Sequence, residues 1–204
     1  MDRTSFLRVW DPRFGADCSA EQFKELDKDV INKLSAVYGH IPIKAFLKNS
    51  FARELFEAQR VFVVASVRDP IDRLLSLYNY VNHNVQHPNH ARLEGVDFSD
   101  FALNQPWNQQ CSYLSSEKCS AFDLISRPNV NFIALEDSVD FFARFFEQEH
   151  GEYWRPDRRN VTEVKTDRPI VVKDHIDPEL SNFLSERHAD DLMLYSLVKA
   201  KTGV

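Results

Sequence analysis

The sequence is poor in glycine and in cysteine, with 5 and 3 residues respectively among its 204. So few glycines exclude flexible glycine-rich linkers, and with no repeat or low-complexity stretch we expect a single domain over 1–204. The cysteines do not follow a zinc-binding spacing. Cys111 and Cys119 could pair in an oxidising compartment, but reduced thiols in a cytosolic protein are favoured.

A long apolar run and an excess of positive charge are also missing. No segment is long and apolar enough to span a membrane, and the N-terminal residues do not resemble a signal peptide. The net charge of −6 argues against a general nucleic-acid binder. It still allows a local basic pocket for one small anion. Phenylalanine is abundant, with 16 residues, so we expect a core rich in aromatic rings.

Short apolar runs alternate with amphipathic segments, which is typical of an α/β fold with a mainly parallel sheet flanked by helices. Residues 20–34 have the apolar spacing of a helix, and 35–42 indicate a short strand that ends at Gly39. The runs 61–66 and 129–136 indicate buried strands. Further helices are predicted over 70–81, beginning with Asp69 and Pro70, over 137–148, and as a pair over 177–201, beginning with Asp177 and Pro178. On the helix over 70–81, Ile71, Leu74, Leu75 and Tyr78 form one apolar stripe that we expect to face the sheet.

The stretch SVRDPIDRLLSLYNYV, residues 66–81, joins a strand to a helix. Arg68 lies just beyond the strand, where open α/β sheets bind ligands. Ser76 occupies a helix face that could look back toward the strand end. A guanidinium and a hydroxyl near a helix N-terminus suit a phosphate. The alternative is that Arg68 pairs with a carboxylate such as Asp72 and that Ser76 is merely exposed.

The same stretch resembles the 3′-phosphate-binding motif of sulfotransferases that use 3′-phosphoadenosine 5′-phosphosulfate. Arg68 and Ser76 match the arginine and the serine that hold the 3′-phosphate in that family. The Arg-Asp-Pro sequence and Arg73 resemble the Golgi-type carbohydrate branch, which includes the uronyl, or heparan sulfate, 2-O-sulfotransferases and their bacterial relatives. Four further segments resemble that branch in the same order, so the resemblance spans nearly the whole chain: VYGHIP at 37–42, NQQCSYLSS at 108–116, NVNFIALEDSVDFFARFF at 129–146 and DDLMLYSLV at 190–198.

The resemblance implies a P-loop-NTPase-like fold and transfer of a sulfuryl group from that donor to a hydroxyl of a carbohydrate acceptor. His40 is the implied catalytic base, since a histidine titrates near neutral pH and can take the acceptor's proton. Without the resemblance, a buried or simply exposed histidine would be the plainer interpretation. In the basic segment 155–165, Asn160 and Thr162 resemble the part of the family that closes over the nucleotide; the alternative is a solvated charged loop.

Three histidines lie close together in HNVQHPNH, residues 83–90. His83 and His87 have an i,i+4 spacing that could bind a metal on a helix. Pro88 breaks such a helix, and no acidic partner recurs in register. We therefore expect no metal and a polar loop that lines the acceptor cleft, with His83 and Asn108 as acceptor-binding residues.

The N-terminus departs from the family, which begins with a strand and a phosphate-cradling loop of the type Pro-Lys-Thr-Gly-Gly-Thr-Ser. Here Thr4 and Ser5 resemble the end of that loop, leading into the first helix, and the strand and lysine would precede Met1. We expect the sheet to lack this strand and to show either a gap or an edge at 61–66 where a partner strand belongs.

Two accounts of this departure stay open. The chain is an N-terminally incomplete enzyme, or it has lost half its donor site and is a nucleotide- or sugar-binding pseudoenzyme. Another P-loop-like phosphotransferase is a third class, but the sequence has no Walker-type loop and no obvious acidic magnesium site. The expected location is the cytoplasm for a bacterial protein and the Golgi lumen for part of a eukaryotic relative.

Overall fold

The computed structural model describes residues 5–9, 17–39, 41–150 and 169–202. These residues have a mixed α/β structure that divides into two compact units, one within 1–65 and 110–132 and the other within 66–109 and 133–204. The single domain expected from the sequence stays a prediction. No helix among the described residues has the length and apolar character needed to cross a membrane.

The elements follow one another along the described chain as short helices and four strands. In order they are β1 (Ser5–Val9), α1 (Ala20–Phe23), α2 (Lys28–Ile31), β2 (Leu34–Gly39), α3 (Ile43–Phe46), α4 (Ser50–Glu57), β3 (Val63–Val67), α5 (Pro70–His83), α6 (Phe98–Leu103), α7 (Gln109–Leu114), α8 (Ala121–Leu124), β4 (Val130–Ala134), α9 (Ser138–His150), α10 (Pro178–Arg187) and α11 (Ala189–Thr202). Single 3₁₀ turns occur at Ala91–Leu93, Leu135–Asp137 and Lys173–His175.

The first unit contains a parallel pair of strands, β1 and β2, in which Val9 lies opposite Gly39. The family resemblance predicts that Ser5 ends a phosphate loop that leads into a helix, and this prediction is wrong. Ser5 begins β1, because the edge of β2 gives this segment a hydrogen-bonding partner along its whole length. The core beside this sheet contains Val9, Cys18, Phe23, Ile31, Phe51 and Ala52.

The helix predicted over 20–34 is broken, and the amide of Asn49 explains the break. Its Nδ2 donates to the carbonyl oxygens of Phe23, Lys24 and Leu26 at 3.3, 3.3 and 2.9 Å. These carbonyls end α1 in a buried site and do not continue an α-helical ladder. The Oδ1 of the same amide accepts from the N–H groups at the start of α4, so one side chain ends one helix and caps another.

Gly39 ends β2 in a conformation that excludes side chains. Its φ of +128° is one that residues with a Cβ rarely adopt. A Cβ at this position would also overlap the carbonyl oxygen of Val9 on β1. The predicted strand end at Gly39 is therefore confirmed, and the close approach of two backbones explains why glycine is needed there.

We predict that Gly39→Ala lowers the free energy of unfolding by about 2 kcal/mol more than Gly95→Ala, as judged by urea denaturation. Gly95 also has a positive φ, of +74°, but a Cβ there would meet nothing within 4 Å. It therefore reports the backbone cost without the overlap. Equal losses for the two variants would contradict the close packing of Gly39 on Val9.

In the second unit, α5 begins as its sequence predicts. Asp69 is the N-cap, and Pro70 is the first helical residue. The predicted apolar stripe of α5 is buried and packs in one cluster with residues of α6 and α10. The buried members of this cluster are Ile71, Leu74, Leu75, Tyr78, Val81, Leu93, Phe98, Phe101, Ala102 and Leu184. The capped start of α10 at Asp177 is confirmed as well.

The predicted strands at 61–66 and 129–136 are present as β3 and β4, which pair in a second two-stranded sheet. Among the described residues, β4 is the one strand that pairs with β3. Asn129 supports this pairing in the first unit, because its Nδ2 donates to the carbonyls of Phe56 and Val61 at 3.0 and 3.1 Å. The described residues thus form two small sheets where the sequence predicted one larger, mainly parallel sheet.

Candidate functional site

A cleft of ≈ 300 Å³ opens in the second unit at the start of α5. One side consists of residues on α5 or just before it, and the other side is formed by residues of the segment 169–173, which we call the strap. The structure brings Arg68 and Ser76 together at this cleft. Its lining residues are Arg68, Asp72, Leu75, Ser76, Asn79, Ile170, Val171, Val172 and Lys173.

The strap is attached to α5 by a side chain that imitates a backbone. The Nδ2 of Asn79 donates to the carbonyl of Val171 at 2.7 Å, and its Oδ1 accepts from the N–H of Val171 at 3.0 Å. Asn79 is 8% exposed, so both hydrogen bonds are largely shielded from water. This pairing fixes the distance between the strap and the helix, and hence the width of the cleft.

A second attachment joins the end of the strap to the start of α5. The Nζ of Lys173 lies 3.4 Å from a carboxylate oxygen of Asp69 and 3.4 Å from one of Asp72. Burial lowers the pKa of Lys173, but the two carboxylates outweigh this effect and hold the pKa above its usual value. The ammonium group therefore stays charged throughout the physiological pH range. Asp72, considered from the sequence as a partner for Arg68, is a partner of Lys173 in the structure.

The backbone donors at the start of α5 are already used. Asp69 Oδ1 accepts from the N–H groups of Ile71 and Asp72 at 2.9 and 3.0 Å, and the Asp69 carbonyl accepts from Arg73 N–H at 2.9 Å. A helix N-terminus binds an anion through such donors. An anion in this cleft would therefore depend on side chains, namely the half-buried Arg68 and the exposed Ser76.

Asn108, predicted to bind the acceptor, has a structural role. Its Oδ1 accepts from the N–H of Asp191 at 3.2 Å, and its Nδ2 donates to the carboxylate of Asp190 at 3.0 Å. Both partners lie in the first turn of α11, so Asn108 caps this helix from a distant segment. Its amide is thereby occupied, and it is not available for an acceptor in this structure.

His83, the other predicted acceptor-binding residue, is also placed differently from the prediction. It is 1% exposed and lines neither the cleft at Arg68 nor a neighbouring one of ≈ 200 Å³. The reason is that α5 extends as far as His83, which carries this ring into the interior. Because α5 ends there, His83 and His87 do not share a helix, and the described residues contain no cluster that could hold a metal.

Thr4, His40 and Thr162 lie outside the described residues, as does the basic segment 155–165. Ser5 is in β1 of the first unit. The structure therefore describes two of the proposed donor-site side chains, Arg68 and Ser76, in one place.

Comparison with known proteins adds no relative to this picture. No protein-family model, no curated protein and no solved structure matches the chain. A proposal about function therefore depends on the chemistry of the cleft and on the motif that forms one of its walls.

Sequence reasoning missed a buried polar cluster beside the cleft-forming helix. His188 is 1% exposed, and its Nδ1 accepts from the N–H of Asn108 at 3.3 Å, which leaves the ring proton on Nε2. Burial lowers the pKa of His188, and the positive charges of Arg73 and Arg187 act in the same direction against the opposing effect of Asp191. The neutral ring is therefore part of the folded structure.

We predict that the free energy of unfolding falls as the pH drops below about 6.5, the usual pKa of an unfolded histidine. The native pKa of His188 is lowered, so the unfolded chain binds more protons in this window. His188→Asn, whose Oδ1 can accept from Asn108, should reduce the decline measured by urea denaturation at pH 7.5, 6.5 and 5.5. His175→Asn is the control, because His175 is exposed. The same decline in both variants would exclude His188 as its cause.

Proposed function

We propose that the chain binds a 3′-phosphoadenosine nucleotide at the Arg68–Ser76 cleft. We further propose that it transfers a sulfuryl group from 3′-phosphoadenosine 5′-phosphosulfate to a hydroxyl of a carbohydrate acceptor. The observation that supports this most is the shared position of Arg68 and Ser76. They are the two residues of the 66–81 stretch that match the phosphate-binding arginine and serine of the sulfotransferases, and both line one cleft.

The chemistry of the cleft fits a phosphate monoester. A guanidinium donates charge-assisted hydrogen bonds to phosphate oxygens, and a serine hydroxyl adds a neutral donor. Lys173, on the opposite wall, offsets the negative charges of Asp69 and Asp72. The volume of ≈ 300 Å³ lies at the lower end of the range for small-molecule sites, which suits a phosphate with part of its ribose. Contacts of Thr4 and Thr162 with the rest of the donor are proposed from the motifs alone.

His40 is the proposed general base, and this role comes from the Gly-His motif at the end of β2. As the acceptor oxygen attacks sulfur, its proton passes to the imidazole, and the bond between sulfur and the phosphate oxygen breaks. The products are the sulfated acceptor and adenosine 3′,5′-bisphosphate. His40 directly follows Gly39, which ends β2 with a φ of +128°.

We predict that Arg68→Ala weakens the binding of adenosine 3′,5′-bisphosphate by about 2 kcal/mol or more, the scale of a lost charged hydrogen bond. Binding of adenosine 5′-monophosphate, which has no 3′-phosphate, should barely change. Isothermal titration calorimetry measures both. Arg92→Ala is the matched control, since it removes the same charge from an exposed position of the same unit. Equal weakening of the two nucleotides by Arg68→Ala would defeat the assignment.

We predict that His40→Ala abolishes transfer of radiolabelled sulfate from the donor to a desulfated polysaccharide and leaves the affinity for adenosine 3′,5′-bisphosphate nearly unchanged. A base acts on the acceptor's proton and contributes little to donor affinity. Near-normal turnover of the variant would assign the base to another residue. Nucleotide binding without any transfer by the unmodified chain would favour a nucleotide-binding pseudoenzyme over the enzyme.

A further inference from the structure

We propose that Lys173 is a positioning residue that makes the cleft receptive to an anion by neutralising Asp69 and Asp72. The inference builds on the proposed function, in which this cleft binds the 3′-phosphate of a nucleotide. It adds a residue to which no sequence motif points. It also assigns a purpose to the attachment between the strap and α5.

Two negative charges lie in or beside the cleft, where they would repel a bound phosphate. Asp72 lines the cleft itself, one helical turn before Ser76 on the same side of α5. Asp69 directly follows Arg68 in the chain and is held in position, because its Oδ1 accepts two hydrogen bonds from the helix start. Asp69 cannot rotate away from the cleft, because that would remove the cap of α5.

Lys173 is the cation that offsets both carboxylates at once. Its Nζ lies 3.4 Å from Asp69 Oδ2 and 3.4 Å from Asp72 Oδ1. With Lys173 in place, the two negative charges of Asp69 and Asp72 are matched by the two positive charges of Lys173 and Arg68. Without Lys173, the Asp72 carboxylate in the cleft and the Asp69 carboxylate beside it would lose this partner, and their charge would repel an anionic ligand.

The strap explains how a half-exposed lysine can hold this position. The side chain of Lys173 is 49% exposed, and an isolated surface ion pair contributes little. Here, however, the backbone two residues earlier is fixed by the paired hydrogen bonds of Asn79 with Val171. The ammonium group is therefore delivered to the carboxylates by a segment that is already attached to the helix. This reduces the conformational entropy lost when the pair forms.

The test compares anion binding by four variants, Lys173→Met, Lys173→Arg, Asp72→Asn and the double variant Asp72→Asn/Lys173→Met. The probes are adenosine 3′,5′-bisphosphate and inorganic pyrophosphate in calorimetry at low salt. Lys199→Met is the matched control. Lys199 is 43% exposed and is also held by two carboxylates, Glu136 and Asp137, at 3.4 and 3.3 Å. Lys199→Met therefore removes the same positive charge as Lys173→Met from the same unit.

We expect Lys173→Met to weaken the binding of both probes about tenfold, and Lys199→Met and Lys173→Arg to change it by less than about threefold. Asp72→Asn alone should bind at least as tightly as the unmodified chain. The double variant should recover most of the affinity lost by Lys173→Met, because the repulsive carboxylate in the cleft is gone. A merely structural role of Lys173 would not produce this recovery of affinity.

Three results would overturn the inference. They are equal effects of Lys173→Met and Lys199→Met, weaker binding by Asp72→Asn, or a double variant no better than Lys173→Met. Should Lys173→Met not fold, as judged by circular dichroism, the Asp72→Asn and Lys173→Arg results decide alone. Binding of neither probe by the unmodified chain would defeat this inference together with the proposed function. The expected pattern with pyrophosphate, but no preference for the 3′-phosphate of the nucleotide, would uphold the inference and defeat the proposed function.

Discussion

The carboxylate of Asp69 is the group on which the candidate site depends. One of its oxygens caps α5, and the other faces Lys173, so both are committed and the side chain is only 17% exposed. The cap fixes where α5 begins and therefore how Arg68 and Ser76 stand toward each other. It also uses the backbone donors that would otherwise attract an anion. An anion in this cleft would therefore have to be bound by side chains.

Buried asparagines join separate segments in both units. Asn49 ends α1 and caps α4. Asn129 donates a hydrogen bond to the backbone before β3, and Asn79 attaches the strap to α5. Each is less than a tenth exposed. A side-chain amide has the same donor and acceptor as a peptide group, so it can satisfy the backbone where no helix or strand continues. This suits a chain whose helices are mostly short and whose described sheets have two strands each.

What the sequence could predict was local. The dipeptides that begin α5 and α10 follow from capping chemistry. The spacing allowed Ser76 to look back toward Arg68, and both residues line one cleft. The errors came from partners distant in sequence. Asn49 breaks the 20–34 segment from outside it, β2 recruits Ser5 into a strand, and α10 and α6 bury the stripe of α5 that the sequence directed toward a sheet. Lys173 carries no local signal, because its importance lies in two carboxylates near the other end of the unit.

Val171 and Asn79 are 92 residues apart in the chain, so the two walls of the cleft are synthesised at different times. A ribosome adding ~5–20 residues per second produces α5 roughly 5–20 s before the strap appears. Over that interval Asp69 and Asp72 face water without their lysine, and one wall of the cleft does not yet exist. Closing so long a loop costs entropy that the two amide hydrogen bonds and the ion pairs must offset together. The apolar stripe of α5 is therefore synthesised well before the second wall of the cleft.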